Sequence, residues 1–327
     1  MLPPLFNRIL MPTIHVVGAG ISGLAAATRA VRSGIRTIVY EAAGHAGGRA
    51  RSFYDEKLGC TIDNGNHLLL GANKSTMTYL SDIKARDQVK EIRPAVFPFL
   101  NVKTGEVWRI QPGRGIPPTW LFSRSRRVPN TRAIEYFNQA NRLRISGKLD
   151  TVAHAVGTGS PLYEKLWQPL CKAALNTDAF EASAQLMWHV VRETFLKGEK
   201  ACRPWYFHKG LDVALIQPAV SSLHRQGVQV HFKTRLRLID IEFERVTALS
   251  FPEGTVTIEK DDAVILALPP EACNQIWPAA EAPAEARTIV NAHFRLDQPI
   301  KLPWNLPFIG LINTEAQWIF VRDNLLS

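Results

Sequence analysis

One stretch near the start of the chain, residues 13–41, restricts the possible folds more than any other. It contains a β-branched apolar run, three glycines in the spacing G-x-G-x-x-G, an alanine-rich segment and a second apolar run that ends at Glu41. This order predicts a strand, a tight turn, a helix and a parallel strand. Gly18 would allow the tight turn, Gly20 would let a phosphate approach the backbone, and Gly23 would let the helix pack closely on the strand.

A carboxylate ends this unit. Glu41 follows Gly20 by 21 positions, where its oxygens can accept hydrogen bonds from the hydroxyl pair of a ribose. A tight turn in a purely structural βαβ unit is the alternative interpretation of the three glycines taken alone. Because a strand precedes the glycines, a helix follows them and an acid ends the unit, we predict a dinucleotide-binding site.

The composition is that of a soluble chain with reduced cysteines. The 327 residues are 46% hydrophobic and 21% charged, which allows one large domain or two ordinary ones. No apolar run approaches the roughly 18 residues of a membrane-spanning helix. The four cysteines form no C-x-x-C pair and the nine histidines show no ligand-like pairing. We therefore expect no disulfide, no metal site and a cytoplasmic location, with peripheral contact to the inner face of the membrane as a further hypothesis.

A second glycine-rich loop follows Glu41 directly. The pair Gly47-Gly48 precedes Arg49, so its backbone can reach a phosphate that the guanidinium group neutralises. A Gly-Gly-Arg loop is common by itself. It becomes specific here because it follows a dinucleotide fingerprint and its ribose acid.

The run GAGISGLAAA…YEAAGHAGGRARS, residues 18–52, resembles the flavin amine oxidase and phytoene desaturase superfamily. The signature of that superfamily is the same fingerprint followed by Glu and then by Gly-Gly-Arg. The resemblance implies FAD rather than NAD. It also implies that the backbone at Leu236 contacts adenine, at a position where the superfamily favours Val. The cofactor-binding residues implied in this way are Gly18, Gly20, Gly23, Glu41, Gly47, Gly48, Arg49 and Leu236.

The segment TIDNGNHLLLG, residues 61–71, resembles the part of the superfamily that runs beside the flavin ring. With the W-x-P-L…L-N-T run at residues 167–177, it is similar to the squalene-associated branch, the hydroxysqualene dehydroxylases. The resemblance implies that His67 lies near the reaction centre, where a group with a near-neutral pKa can assist departure of a hydroxyl. Asp63 is an equal candidate for the proton donor. A histidine that only hydrogen-bonds the backbone and holds its loop is the alternative.

The predicted elements and the resemblance together imply an α/β fold with two parts. The first is a Rossmann-like FAD-binding domain with a mostly parallel sheet and a β-meander, and the second is an inserted α+β substrate domain. We assign residues 1–10 to a leader or an over-called start, 11–95 and 205–270 to the FAD-binding domain, and 96–204 and 271–327 to the substrate domain.

The pattern also predicts individual elements in the second half of the chain. Residues 210–226 are expected to form a helix with a late start or a kink at Pro218. Residues 236–260 are expected to form the meander, followed by a buried strand over 263–268. Alternating apolar residues then predict a further strand of the substrate domain, with Ile289, Ala292 and Phe294 among its members.

The resemblance has a gap at the end of the chain. The superfamily ends with a second flavin-binding segment, a Gly-Asp pair followed by a helix that meets the pyrophosphate. No such segment follows Pro270. We therefore expect a C-terminally incomplete, truncated chain that binds FAD weakly or not at all.

By resemblance, the leading hypothesis for function is an FAD-dependent oxidoreductase of squalene and hopanoid biosynthesis. The implied reaction removes the hydroxyl of hydroxysqualene, with hydride delivered by reduced flavin, and yields squalene. A carotenoid-type desaturase or an amine oxidase would use the same frame to take hydride from its substrate. A non-catalytic lipid-binding protein is the hypothesis from a different class.

The net charge of +10 is partly concentrated between residues 114 and 148, where eight basic residues accompany a single acid, Glu135. No nucleic-acid recognition motif accompanies this stretch, so we expect no nucleic-acid partner. Anionic lipid headgroups suit a mixture of basic and apolar side chains better. A solvated basic face is the alternative, and the sequence does not indicate the oligomeric state. The interleaved apolar residues are Ile116, Trp120, Leu121 and Phe122.

Overall fold

The computed structural model describes residues 11–115, 118–283 and 285–322. The predicted leader at residues 1–10 and the apolar residue Ile116 lie outside the described residues. The strands are β1 (Thr13–Val17), β2 (Arg36–Tyr40), β3 (Ser52–Asp55), β4 (Cys60–Asp63), β5 (Leu68–Leu70), β6 (Val89–Glu91), β7 (Phe97–Asn101), β8 (Val107–Ile110), β9 (Pro204–Phe207), β10 (Gln229–His231), β11 (Leu238–Glu242), β12 (Arg245–Phe251), β13 (Gly254–Thr257), β14 (Ala263–Leu266), β15 (Phe308–Ile312) and β16 (Trp318–Phe320).

Helices connect and cover these strands. The α-helices are α1 (Ile21–Arg32), α2 (Lys74–Asp82), α3 (Ala133–Ile145), α4 (Val152–Val156), α5 (Gln168–Leu175), α6 (Ala184–Glu193), α7 (Glu199–Cys202), α8 (Gln217–Arg225) and α9 (Pro270–Ile276). Two π-helical turns, Tyr163–Trp167 and Asp212–Ile216, lead directly into α5 and α8. Short 3₁₀ turns are Arg86–Gln88, Thr119–Phe122, Arg124–Arg126, Phe195–Lys197, Pro278–Ala280 and Pro303–Asn305.

A four-stranded parallel sheet in the order β10-β2-β1-β14 forms the centre of the first half of the fold. Helices α1 and α8 pack on one face around a buried cluster that includes Leu24, Ala27 and Leu223. On the other face, a second cluster joins Val17 and Tyr40 to residues of the antiparallel meander β11-β12-β13. The α/β class with a parallel sheet and a β-meander is therefore confirmed.

A separate sheet in the order β16-β15-β7-β8 lies against most of the remaining helices. Strand β15 pairs with β7 in parallel, whereas β7–β8 and β15–β16 are antiparallel. Its core contains buried aromatic side chains, among them Trp108, Tyr136 and Trp167, packed with residues of α3 to α6. The remaining described strands form the hairpin β3–β4 and the three-stranded antiparallel sheet β5-β9-β6. The proposed division into two domains stays a prediction.

One expectation about a single element was wrong. The predicted strand that contains Ile289, Ala292 and Phe294 does not form; this segment is irregular and Ile289 and Phe294 are exposed. Strand formation needs a partner, and no described strand lies beside it. The helix predicted over 210–226 is confirmed with its late start: a π-turn at Asp212–Ile216 leads into α8, and Pro218 lies in the first turn of α8. Proline is tolerated there because its missing N–H would have no helical acceptor.

Among the described residues, no helix combines the length and the apolarity that crossing a bilayer requires. The four cysteines are described and all are free thiols.

Candidate functional site

The turn between β1 and α1 contains two tightly packed glycines and one open glycine. A Cβ atom at Gly18 would lie 2.4 Å from the carbonyl oxygen of Ala267, and one at Gly23 would lie 1.8 Å from the carbonyl oxygen of Gly18. Only glycine fits at either position without moving the backbone. By contrast, a Cβ at Gly20 would meet no atom within 4 Å. Gly20 is the N-cap of α1 and no side chain caps the helix, so its first N–H groups face open space that can accept a phosphate.

Glu41 lies at the carboxyl end of β2 beside this turn. Its Oε2 accepts a hydrogen bond from the Ala19 N–H and its Oε1 accepts one from the Ala43 N–H, each at 2.7 Å. Each carboxylate oxygen has more than one acceptor site. The two backbone bonds therefore fix the carboxylate in place and leave it able to accept hydrogen bonds from a ribose.

The loop at Gly47 and Gly48 packs directly on the glycine turn. The Gly47 N–H donates to the Ala19 carbonyl oxygen at 2.9 Å, and a Cβ at Gly48 would lie 3.5 Å from the Cα of Gly20. The two glycine segments thus form the two sides of one cradle. Arg49 is exposed, and its guanidinium has no ion pair within the described part of the chain.

Leu236 lies in the loop that leads from β10 to β11. Its side chain is buried in the cluster between the parallel sheet and the meander. The Leu236 N–H and carbonyl oxygen make no hydrogen bond with any described residue. The preceding residues run beside the ribose acid, because the Thr234 N–H donates to the Glu41 carbonyl oxygen and the Lys233 N–H to that of Ala43, at 2.8 and 2.9 Å. The unpaired backbone groups of Leu236 are thus available to a base.

The hairpin β3–β4 connects this cradle to a cleft. Ser52 pairs in register with Asp63, and the Asn64 side-chain amide donates to the Arg49 carbonyl oxygen at 3.1 Å. The cleft beyond Asp63 opens to solvent and has mostly apolar and aromatic walls. It is lined by Asp63, Asn66, His67, Leu68, Tyr206, Phe207, Pro307, Phe308, Phe320, Val321 and Arg322.

Asp63 is a buried acceptor at the junction of four chain segments. Its Oδ1 accepts hydrogen bonds from the Ser52 hydroxyl at 2.5 Å and from the Leu211 N–H at 2.9 Å. Its Oδ2 forms an ion pair with the Arg322 guanidinium, which also donates to the Phe207 carbonyl oxygen. Three donors surround an acceptor-only group, so this carboxylate is suited to positioning its neighbours rather than to giving a proton.

Gly210 belongs to the same junction. A Cβ there would lie 3.0 Å from the Ser52 Oγ and 3.1 Å from the Asp63 Oδ1, and the residue has φ +105°. Both facts require glycine. The sequence did not indicate that Ser52, Gly210, Leu211 and Arg322 belong to the site. For Gly210 the only indication was the presence of a glycine between a strand and a helix.

His67 has its imidazole at the cleft. No hydrogen bond joins the ring to another described residue. The side chain is open to solvent on one side, while the walls of the cleft remove water from the other. This desolvation lowers the pKa of His67, and the Asp63 carboxylate opposes it in part. An unpaired ring nitrogen at an apolar cleft can exchange a proton with a bound molecule.

Comparison with known proteins agrees with this geometry. Residues 21–318 match the family model described as flavin containing amine oxidoreductase. The chain is 40% identical over 314 residues to a hydroxysqualene dehydroxylase of Sinorhizobium fredii, covering 96% of this chain and 74% of that relative. It is 41% identical over 316 residues to a hydroxysqualene dehydroxylase of Rhodopseudomonas palustris, covering 96% and 75%.

A solved structure shares the fold. An oxidoreductase from Methanosarcina mazei superposes with a TM-score of 0.61 at 16% sequence identity. The match covers 82% of this chain and 61% of that one. The chain thus spans about three quarters of the length of the two curated relatives and 61% of the length of this solved structure.

Proposed function

Because the chain belongs to the family of flavin-containing amine oxidoreductases, we propose that it holds FAD and converts hydroxysqualene to squalene. The observation that carries the proposal is the cradle formed by Gly20, Glu41 and the Gly47-Gly48 loop, which leads into an apolar cleft. Two relatives that are 40% and 41% identical are hydroxysqualene dehydroxylases. That likeness supports the choice of substrate.

Three features favour FAD over a flavin that lacks the adenosine half. The open N-terminus of α1 at Gly20 is suited to a pyrophosphate, and the Glu41 carboxylate is suited to a ribose. The unpaired backbone groups of Leu236 are suited to adenine. A mononucleotide has neither the ribose nor the adenine that Glu41 and Leu236 would bind. The ring end of the cofactor would then lie toward the cleft, which the hairpin β3–β4 joins to the cradle.

Reduced flavin supplies the hydride that replaces the hydroxyl of the substrate, and the hydroxyl leaves as water once it has gained a proton. In this proposal the proton comes from His67, because its ring is unpaired at the cleft. Asp63 holds the loops around the cleft in place through Ser52, Leu211 and Arg322. The apolar side chains of the walls offer no hydrogen bonds to water and so disfavour its entry, which would otherwise lead to capture of a carbocation.

The same cleft disfavours an amine substrate. The Asp63 carboxylate is already paired with Arg322, so it is not free to bind an ammonium group. A carotenoid-type desaturase remains an alternative because its substrate is also apolar. A non-catalytic lipid-binding role would not require the open space at Gly20 or the fixed carboxylate of Glu41.

A valine at Gly20 tests the cofactor site. Because a Cβ there meets nothing within 4 Å, Gly20→Val should fold normally yet block the phosphate. Fluorescence titration with FAD should detect binding by the wild-type chain and none by Gly20→Val. The matched control is Gly147→Val, in an exposed loop after α3, which should bind like wild type. The sequence predicts that this chain binds FAD weakly or not at all, and the same titration decides between that prediction and the proposed site. Equal binding by Gly20→Val, or no FAD binding by the wild-type chain, would contradict the site.

Product analysis tests the reaction. The chain is incubated separately with hydroxysqualene and reduced FAD, with phytoene and oxidised FAD, and with a primary amine and oxidised FAD. Squalene should form in the first mixture, while the other substrates should be recovered unchanged. Formation of a desaturated carotenoid or of an aldehyde would instead support one of the two alternative reactions.

A further inference from the structure

Helix α3 has two apolar faces, and only one of them is covered. Its inner face carries Ala133, Tyr136, Gln139 and Leu143, which are buried. The opposite face carries Ile134, Phe137 and Ile145, whose exposed fractions are 57%, 39% and 67%. These three residues follow one another at intervals of three and eight positions, so they form one stripe along the helix. We call Ile134, Phe137 and Ile145 the outer stripe.

Arginines flank the outer stripe on both sides. At 3.6 residues per turn, Arg142 and Arg144 lie about 80° to either side of Ile134 around the helix axis. Both side chains are exposed. The single acid of the stretch, Glu135, accepts a hydrogen bond from the Arg132 N–H at the start of the helix. None of the eight basic residues between 114 and 148 forms an ion pair with a described residue.

The exposed apolar surface continues beyond the end of α3. Leu149 is 97% exposed and follows Lys148. The loop is held against the start of α6, because the Ala184 N–H donates to the Asp150 carbonyl oxygen and the Gln185 side chain donates to that of Ser146. The next residue of α6, Leu186, is 59% exposed. These contacts place the loop after α3 beside the start of α6, so the exposed Leu149 and Leu186 belong to neighbouring segments.

Not every residue that the sequence suggested for this surface lies on it. Trp120 and Leu121 are buried in the core beneath α3, and Trp120 packs edge-on against Tyr136. Phe122 is 70% exposed. The outward apolar side chains therefore come mainly from α3 itself, which a simple list of aromatic and basic residues in the sequence did not reveal.

The Arg144 guanidinium donates hydrogen bonds to the Asn141 Oδ1, but neither Arg142 nor Arg144 forms an ion pair with a described residue. An exposed apolar stripe between such arginines is the pattern of a helix that lies flat in a membrane interface. Isolated exposed apolar residues are ordinary, whereas a contiguous patch indicates a binding surface. The charge decides the occupant. Cations that have no ion-pair partner among the described residues lie on both sides of the stripe and complement the phosphates of anionic lipids. A nucleic acid would leave the apolar side chains of the stripe without an apolar partner.

We propose that the outer stripe inserts into the headgroup region of an anionic bilayer, with Arg142 and Arg144 binding lipid phosphates. The helix lies parallel to the bilayer surface and its inner face stays packed in the protein. This surface is separate from the cleft, and its test requires neither FAD nor substrate. A failure here would therefore leave the proposed reaction unaffected.

Vesicle sedimentation tests the proposal. The chain is mixed with vesicles of phosphatidylglycerol and phosphatidylcholine, or with vesicles of phosphatidylcholine alone, at low and high salt. We expect binding to the anionic vesicles that weakens with salt because the interaction is screened. Arg142→Gln/Arg144→Gln should lower the partition coefficient between anionic vesicles and water about thirtyfold at low salt. Phe137→Ser/Ile145→Ser should weaken it at least about tenfold, because both side chains lose apolar burial.

Ile241→Ser/Phe243→Ser is a matched control for the apolar variant. It removes one isoleucine and one phenylalanine that are 43% and 100% exposed on the meander, far from α3 in the chain. Arg225→Gln/Lys260→Gln removes two exposed cations in the same way for the charge variant. Both controls should bind vesicles like wild type. Since all substituted side chains are exposed, circular dichroism should show an unchanged fold.

Three results would overturn the proposal. The first is no sedimentation of the wild-type chain with anionic vesicles at low salt. The second is equal binding by the two α3 variants and their controls. The third is self-association in analytical ultracentrifugation that Phe137→Ser/Ile145→Ser abolishes while vesicles do not bind; the outer stripe would then be an interface between copies of the chain.

Discussion

At the scale of single residues, the two candidates for the proton donor differ in what their atoms are free to do. Asp63 is surrounded by three donors from Ser52, Leu211 and Arg322, whereas the His67 ring has no described hydrogen-bond partner. Their sequence positions, four residues apart, carried no sign of this difference. The hydrogen-bond partners of the two side chains come from distant segments of the chain, and these partners distinguish the two roles.

The pH dependence of the reaction should report the protonation of His67. Desolvation by the cleft lowers the pKa of this imidazole below its usual value of about 6.5. If the protonated ring is the acid, kcat/KM for hydroxysqualene should rise continuously as the pH falls toward the lowered pKa and level off below it. The His67→Gln variant should show no such rise, and its kcat should be at least about a hundredfold lower than that of the wild type.

The matched control is His224→Gln, at an exposed position in α8, which should keep both the rate and the pH profile. Steady-state rates between pH 5 and 8 provide the measurement. A His67→Gln enzyme with the wild-type profile would assign the proton to another group.

The Asp63–Arg322 pair should contribute to stability far more than a surface pair. Asp63→Asn leaves a guanidinium that is 20% exposed without its counter-charge, and we expect a loss of about 3 kcal/mol in the free energy of unfolding. In a double-mutant cycle with Arg322→Gln, the coupling energy should exceed about 1 kcal/mol. Urea denaturation measures each variant.

The exposed pair Glu181–Arg287, with side chains 56% and 57% exposed, is the matched control. Its cycle with Glu181→Gln and Arg287→Gln should show a coupling of about 0–1 kcal/mol. Equal coupling in the two cycles would mean that Asp63 does not hold the junction.

At the scale of elements, the three fingerprint glycines have different physical tasks. Gly18 and Gly23 let β1, β14 and α1 approach closely, while Gly20 leaves space at the helix N-terminus. The spacing of the motif therefore combines a packing requirement of the fold with a binding requirement of the site.

Alanine substitutions should separate these two tasks. In Gly23→Ala the new Cβ would overlap the Gly18 carbonyl oxygen, 1.8 Å away, so α1 must shift from β1. We expect a loss of at least about 2 kcal/mol in the free energy of unfolding. Gly20→Ala places its Cβ in open space with φ −71°, so the change should stay within about 1 kcal/mol. Chemical denaturation of both variants checks the difference; similar losses would contradict the assignment of the two glycines.

At the scale of the whole molecule, a buried polar chain joins the parallel sheet to the start of β14. The His15 Nδ1 lies 3.1 Å from the Tyr40 hydroxyl, and its Nε2 lies 3.5 Å from the Asp262 Oδ2. Tyr40 in turn stacks on His231 and on Phe251 of the meander. The parallel sheet and the meander therefore meet at the His15–Tyr40 pair.

Global stability should depend on the protonation of His15. Burial lowers its pKa, with Arg36 adding to this and Asp262 opposing it. The unfolded chain therefore binds a proton on His15 more readily than the folded chain does. The contribution of His15 to the free energy of unfolding is therefore complete above about pH 6.5. It decreases as the pH falls toward the lowered pKa, by at most about 1.4 kcal/mol per pH unit.

Urea denaturation at pH 7.5 and pH 5.5 measures this dependence. His15→Gln can still accept from Tyr40 and donate to Asp262, so the fold should persist with a shallower pH dependence. His224→Gln should keep the wild-type slope because its ring is exposed. If the pH dependence of stability is unchanged in His15→Gln, another group takes up the proton. The next residue to substitute is then the half-buried His208, because burial lowers its pKa as well.

The sequence by itself determined the βαβ unit, the positions of its glycines and acid, and the meander. These features depend on local periodicity, turn chemistry and spacing, which neighbouring residues specify. The family resemblance extended this to a flavin cofactor. Strand β2 (Arg36–Tyr40) ends directly before Glu41, as the sequence predicted.

Only the tertiary structure decided which residues act together. It joined Gly47-Gly48 to the glycine turn, enclosed Asp63 with Ser52, Leu211 and Arg322, and left the strand expected around Ile289 without a partner. It also separated the buried Trp120 from the exposed outer stripe of α3. Asp63 and Arg322 are 259 positions apart, and no local pattern links side chains at that distance, because their pairing is fixed by the packing of the sheets between them.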